Sequence, residues 1–427
     1  MLAKRRTDQR TMVRASQASI VKLRNKAGLL LVALVLSGCS ALSNTTPVVL
    51  YMAIETGFIS TDNRKDTDSD VKRIVSKFQK LHPNVQVQFS LYESSNLISE
   101  LRKRSLFGLG PDLIVTGASM ARELLREGLT DPLPESQRTK EQTDPTYLEW
   151  VRSQDGRLAA QPYVIFPQIA CFNSQAIQQP PESLNDLLKV GAAGARVGLS
   201  MNMFEVLWTA GSLNALPALV AASRGTPLVP EQRDRIAAWL TWLQQASNQR
   251  NLNFVNNDTQ LATLLGNREL DWISCNPSSL ARLRDQLGDD LDISALPNGP
   301  YNASAAPFNV PVVMALGQDS SAEQRSMAIK LGDYITNPLV QRQDFLLPMS
   351  YLPVNPNVII PTKSSKRLAA IAQARHQFQE HSSDLAALYA RGLLFGQLSD
   401  VLTQVVSGVS QPDKSTDELI SILSQKR

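Results

Sequence analysis

Two glutamates raise the question of chemistry. Glu55 ends the apolar run Val48–Ile54, and Glu205 follows "VGLSMNMF". Carboxylates that face each other at a fixed separation can cleave a glycosidic bond, one protonating the leaving oxygen while the other attacks or activates water. Other catalytic signatures are scarce. The sequence has no P-loop, no His-Glu-x-x-His, no Cys-x-x-Cys and no Gly-x-Ser-x-Gly. Its three histidines are His82, His376 and His381. The first falls at a helix end, and the other two are poorly spaced to share a helix face. Ser69-Asp-Val-Lys72 fits Ser-x-x-Lys, but no Lys-Thr-Gly accompanies it, and Ser19–Lys22 fits as well. "GLGPD" (Gly108–Asp112) precedes a strand, so it cannot aim a helix N-terminus at a phosphate. No metal site and no cofactor are expected.

Charge and cysteines narrow the setting. Residues 1–38 hold eight Lys or Arg and one acid, a leader charge of +7, which leaves −3 on the remainder of a chain whose total is +4. A slightly acidic body gives no reason to expect a nucleic acid partner. The basic region is followed by Ala27–Leu36 and then small residues, the order of a secretory signal. That run is too short to span a bilayer, and no later run is longer. Met12 is an alternative start. Leu36-Ser37-Gly38-Cys39 resembles the bacterial lipobox. The resemblance implies cleavage before Cys39, acylation there, and a membrane anchor worth about 0.8 kcal/mol per buried CH₂. Export implies an oxidising compartment. There Cys171 and Cys275 can pair across a long loop, or stay as two buried thiols; sequence leaves both open.

The elements alternate. Val48–Ile54 reads as a buried strand, followed by a helix with Val71, Ile74, Val75, Phe78 and Leu81 on one face and Asp68 or Ser69 as its cap. Val85, Val87, Phe89 and Leu91 alternate as a strand does. A helix over 95–106, the strand in "GPDLIVT" and a helix over 120–127 follow. Strand and helix thus take turns over about 80 residues, which predicts an α/β class with a mostly parallel sheet. A second α/β block starts near Cys171, with helices over 230–248, 259–265 and 278–287 and a strand over 270–275. A strand in "VPVVMAL" and a helix through Met327, Leu331 and Ile335 come next. Helical pattern then runs over about 366–409.

Read in order, several stretches resemble the periplasmic sugar-type solute-binding proteins of ABC importers, the family that includes maltose-binding protein. They are "GPDLIVT", "DGRLAAQPYVIFPQIACFNSQAI", "PPESLNDLL", "GNRELDWISCNPSSL", "LDISALPNGP", "AEQRSMAIKLGDYITNPLVQRQ" and "LPMSYLPVNP". Two departures stand out: Phe172-Asn173-Ser174 replaces the family's Tyr-Asn-Lys, and Asn276-Pro277-Ser278 replaces a small residue plus Trp. The resemblance implies a two-lobed Venus-flytrap fold with discontinuous lobes, hinge strands and a helical C-terminus. The expected layout is a signal peptide over 1–38, a tether over 39–46, lobe 1 over 47–164 and 311–347, and lobe 2 over 169–305 and 354–427. Hinges fall near 165–168, 306–310 and 348–353, where Pro interrupts the apolar pattern.

A sugar site needs flat apolar faces and groups that bond hydroxyls. In open α/β sheets it lies beyond the carboxyl ends of strands. That geometry selects Glu55 and Thr56, and Thr116 to Ser119 after "DLIV". The resemblance adds Phe166 in the first hinge, Phe204 and Glu205 in a loop of the second lobe, Asn276 at a strand end, and Phe308, Asn309 and Tyr351 at the other crossings. Phe204 with Trp208 also fits one helix face, Arg391 or Phe395 is a further candidate, and Trp239 reads as packing.

The implied protein is a non-catalytic, lipid-anchored, monomeric envelope component that captures a sugar, small glycoside or polyol for ABC permease subunits. The alternatives are a lipid-anchored glycan hydrolase built on Glu55 and Glu205, or a non-transport sensor or scaffold.

Overall fold

The computed structural model describes residues 47–56, 64–346 and 351–425. The expected leader, Cys39, the tether and residues 348–350 of the third crossing lie outside them. In chain order the elements begin with β1 (Val48–Glu55), α1 (Arg64–Leu81), β2 (Val85–Tyr92), α2 (Leu97–Ser105), β3 (Leu113–Gly117) and α3 (Ala118–Arg126). Then come β4 (Thr130–Asp131), α4 (Gln137–Gln142), α5 (Pro145–Val151), β5 (Gln161–Ile165), β6 (Ile169–Asn173), α6 (Leu184–Ala192), β7 (Val197–Ser200) and α7 (Met203–Ser212). Next are α8 (Leu216–Ser223), α9 (Pro230–Ser247), β8 (Leu252–Val255), α10 (Asp258–Gly266), β9 (Trp272–Cys275), α11 (Leu280–Leu287) and β10 (Leu291–Ser294). The chain continues through β11 (Val312–Gly317), α12 (Ala322–Ile335), β12 (Leu352–Pro353), α13 (Lys366–Tyr389), α14 (Phe395–Val406) and α15 (Pro412–Leu423).

Two sheets result. The first runs β12-β5-β11-β3-β1-β2, with β4 attached to β11; the second runs β10-β6-β9-β7-β8. β1 lies parallel to both β2 and β3, and β7 parallel to both β8 and β9. From Met52 to Glu55 β1 is buried on both faces, as a central parallel strand is, while Val49 and Tyr51 on one face of its first half stay partly open. β2 is an edge strand, and its alternation sets Val85 inward and Gln86 outward. Leu50, Ile54, Phe78 and Leu331 pack on one face of the first sheet. Phe172, Trp208, Trp272 and Leu199 do so on the second. Each such side chain contributes about 1.5–3 kcal/mol on burial.

The helix starts explain several boundaries. Ser183, Asn202, Asn257 and Ser365 each accept a backbone N–H of the first turn they cap. Some expectations are corrected here. α1 begins at Arg64, so Asp68 and Ser69 lie within the helix rather than capping it. α3 begins at Ala118, directly off the strand, so Ser119 is on a helix. A last helix, α15, extends past Val409 after Pro412 at its first position.

Three passages join the sheets. Phe166-Pro167-Gln168 leads from β5 to β6, residues 295–311 lead back from β10 to β11, and the chain leaves the first sheet again after β12. The first two are bonded to each other. Gln168 N–H donates to Phe308 O at 3.1 Å, and Phe308 N–H donates to Gln168 Oε1 at 3.0 Å. Leu352 of β12 pairs with Ile165 of β5. In the second sheet Cys171 of β6 and Cys275 of β9 are fully buried and disulfide-bonded, with Cα atoms 5.9 Å apart.

Candidate functional site

The carboxyl ends of β1 and β3 build the first part of the site. Glu55 ends β1, and its Oε2 accepts the Thr116 hydroxyl of β3 and, at 3.4 Å, Gly117 N–H. Glu55 and Thr116 are 4% and 0% exposed, so this carboxylate is held by neutral donors inside the protein. Thr56 turns its hydroxyl back to Tyr92 O at 3.2 Å. One turn into α3, Arg122 donates to Ser119 Oγ at 3.2 Å.

Tyr389, the last residue of α13, comes to the same place. Burial pushes its phenol pKa up, a hydrogen bond with Ser119 and the charge of Arg122 act against that, and the nearby Glu55 charge adds to it. Neither periodicity nor resemblance selects Tyr389, because 270 residues separate it from Ser119. Its ring also touches the aromatic side of the site. Phe204 lies 5.1 Å from it and Phe308 5.9 Å, centroid to centroid. Phe204 stacks on Phe395 at 3.5 Å and tilts against Phe308 at 5.0 Å.

Phe204 and Glu205 are not in a loop. They form the first turn of α7, because Asn202 caps that helix through a bond from Phe204 N–H at 3.0 Å. Trp208 lies on the same helix and is fully buried. Glu205 Oε2 accepts Ser200 Oγ at 2.6 Å and Asp258 N–H at 2.8 Å. Gln168 of the first passage donates to Asp258 Oδ2 at 3.2 Å and to Glu205 O at 3.1 Å. Asp258 Oδ1 is sealed from solvent without a partner. Burial, then the Glu205 charge, drives the Asp258 pKa well up; burial also raises that of Glu205. This acid pair sits against the passage between sheets. Sequence reading missed Asp258 and the role of Gln168, although the Phe-Pro-Gln interruption marked the spot.

The remaining candidates divide. Phe166 is half-buried and meets Tyr351 edge-on, with centroids 4.5 Å apart. Asn309 is 2% exposed, and its Oδ1 accepts Phe166 N–H at 2.7 Å, so it ties the two passages together. Asn276 bonds locally, accepting Ser278 N–H at 2.9 Å. Arg391 holds the end of α15 by donating to Leu423 O at 2.6 Å. Phe395 is 5% exposed, and Trp239 is fully buried with its indole N–H on Thr209 Oγ1 at 2.8 Å.

The fold has known counterparts. The structure resembles the GacH receptor of Streptomyces glaucescens, whose description covers an unliganded form and complexes with acarbose and a homolog, at 14% identity and TM-score 0.65 over 89% of this chain and 100% of that one. A cyclo/maltodextrin-binding protein complexed with maltotetraose aligns at 16% identity and TM-score 0.67, over 89% and 97%. The maltodextrin-binding protein of L. casei BL23 aligns at 15% identity and TM-score 0.63, over 89% and 100%. At these identities the likeness is one of fold: the two-lobed α/β architecture of binding proteins. No curated protein matches the chain. The profile of bacterial extracellular solute-binding proteins matches residues 73–373, most of the described body, and the chain therefore belongs to that family.

Proposed function

We propose that the protein is the lipid-anchored substrate-binding component of an ABC importer, taking a sugar, small glycoside or polyol. One observation carries the reading. A polar set at strand ends (Glu55, Thr116, Ser119, Arg122) and an aromatic set (Phe204, Phe308) meet through Tyr389. These are the two surfaces a pyranose requires, hydroxyl-bonding groups and flat faces for its C–H side. The sugar ligands named for two structural relatives support the same ligand class. Capture would bring the lobes 47–164 with 311–347 and 169–305 with 354–427 together by rotation at the three passages, with Gln168, Phe166 and Asn309 absorbing the change. Ligand favours the closed form only by its differential affinity for it. Permease subunits then receive the ligand, and Cys39 keeps the monomeric protein at the membrane.

The test is calorimetry and thermal shift on the processed protein with a panel of sugars, glycosides, polyols and polyamines. Reversible stabilisation without product supports capture. Product formation would mean the hydrolase reading, and a silent panel the sensor or scaffold. In the same titration Phe166→Ala should weaken binding several-fold and leave the unliganded melting temperature in place; a large drop in that temperature identifies Phe166 as core.

A further inference from the structure

The opposite edge of the first sheet carries a surface of another kind. α2 ends in Arg102-Lys103-Arg104-Ser105 and runs into Leu106-Phe107-Gly108-Leu109. Leu106, Phe107 and Leu109 are 78%, 79% and 64% exposed. With Leu81, at 65% and at the end of the helix that leads into β2, they make four of the ten large exposed apolar side chains among the described residues, and three of the four stand in one turn. Single exposed apolar residues are ordinary, but a cluster is not.

The exposure is built in. Leu109 N–H donates to Arg104 O at 3.1 Å and Gly108 N–H to Ser105 O at 3.0 Å. Gly108 takes φ +64°, which completes a Schellman closure. Such closures commonly fold the following apolar residue back onto the helix; here Leu109 faces solvent. The far side of the turn is pinned by Asp319, which accepts the Ser105 hydroxyl and, at 3.2 Å, Gly110 N–H. A Cβ on Gly110 would collide with that carboxylate. The apolar side chains are therefore presented by a braced turn.

The flanking charge is basic. Arg104 bonds Leu109 O and Tyr92 Oη and meets no carboxylate among the described residues. Arg102 and Lys103 meet Glu127 and Glu100 only as exposed pairs, which hold weakly. Lys80 is exposed in the last turn of α1, the helix that leads into β2. The described chain enters β1 through Pro47, on the strand-start side of the same sheet. β1 and β2 are parallel and start together, Val48 pairing with Val85 next to Pro47 and Asn84, while β3 enters four residues further along, Leu113 pairing with Met52. The eight residues 39–46 can span at most about 28 Å.

We propose that this edge rests on an anionic phospholipid surface. Leu106, Phe107 and Leu109 enter the boundary between headgroups and acyl chains, and Lys103 and Arg104 meet lipid phosphates. The inference rests on the lipid-anchor reading, because a short tether keeps the loop at high local concentration over the bilayer and makes a weak contact sufficient. The ligand-site ends of the same strands then point away from the membrane.

The test uses the processed chain reconstituted in phosphatidylcholine vesicles with and without phosphatidylglycerol. Phe107→Cys is labelled with an environment-sensitive dye, and Tyr301→Cys, fully exposed in the second lobe, is the control. Lipid-borne quencher should act several-fold more strongly at position 107 than at 301 in anionic vesicles, and Lys103→Glu with Arg104→Glu should abolish most of that difference. Equal quenching at both positions, quenching untouched by the charge reversal, or burial of the dye only against a protein partner overturns the assignment. Mass spectrometry of the same chain reads the anchor separately. Acyl mass without preference at 107 removes the surface and keeps the anchor; preference at 107 without acyl mass does the reverse.

Discussion

The two sheets each bring a glutamate to their carboxyl edge, and they use it differently. Glu55 is held by a hydroxyl and a backbone N–H of the neighbouring strand, with Tyr389 and Arg122 in its field. Glu205 shares its surroundings with a second acid, Asp258, and both are bound to the passage residue Gln168. The first carboxylate is held inside the sheet, and under the proposed function it is the charge that a ligand hydroxyl would meet. The second is bonded to the passage between β5 and β6. Position in the fold is alike, but the function of a carboxylate is set by which donors surround it. The sheets differ in covalent bracing as well, since the one disulfide of the described residues lies in the second.

The largest test of that contrast is removal of the staple. Cys171→Ala with Cys275→Ala opens a 104-residue separation. Restored chain entropy should cost about 4–5 kcal/mol, read as a lower denaturant midpoint. Amide exchange should quicken in β6 and β9 and stay put in β1 to β3; uniform loosening would mean that the sheets do not respond separately. Next in size is Glu55→Gln. Losing a charged hydrogen bond to ligand is worth about 1.5–3 kcal/mol, so Kd should rise about ten- to hundredfold. Glu205→Gln should instead change melting more than affinity. If the two variants behave alike, the contrast fails.

The smallest effect concerns pH. The folded protein holds Asp258 and Glu205 above their ordinary pKa, mainly through burial. It therefore binds protons more tightly than the unfolded chain there. The stability from this pair is fully present below the ordinary carboxylate range, about pH 4, and is lost as pH rises through the raised values. Asp258→Asn takes away that titration, so the fall in melting temperature with rising pH should become shallower. A profile identical to that of the unaltered protein would assign the dependence to other groups.

Much of the fold was legible because its signals are local. The buried run of β1, the alternation of β2 and the periodic faces of α9 and α12 each declare themselves within one element. Glu55 was marked as a candidate for a related reason: it stands at a strand end, and ligand sites in such sheets lie beyond the strand ends. Phe204 was misread as a loop residue because Asn202, a single capping side chain, starts a helix two residues after β7 ends. Tyr389 and Asp258 carried no local mark. One is the end of a long helix, and the other looks like any acid in a first turn.

By itself the sequence determined the alternation of elements, the Pro-marked passages, the charge split between residues 1–38 and the rest, and the family. These follow from period, composition and order, which are written along the chain. Only the tertiary structure decided that Cys171 and Cys275 pair, that Tyr389 joins the polar and aromatic sets, and that Asp258 stands beside Glu205 under Gln168. It also decided that Leu106, Phe107 and Leu109 face outward from the turn that leads into β3. Each of these depends on distances between residues far apart in the chain, and such distances are set when the sheets pack.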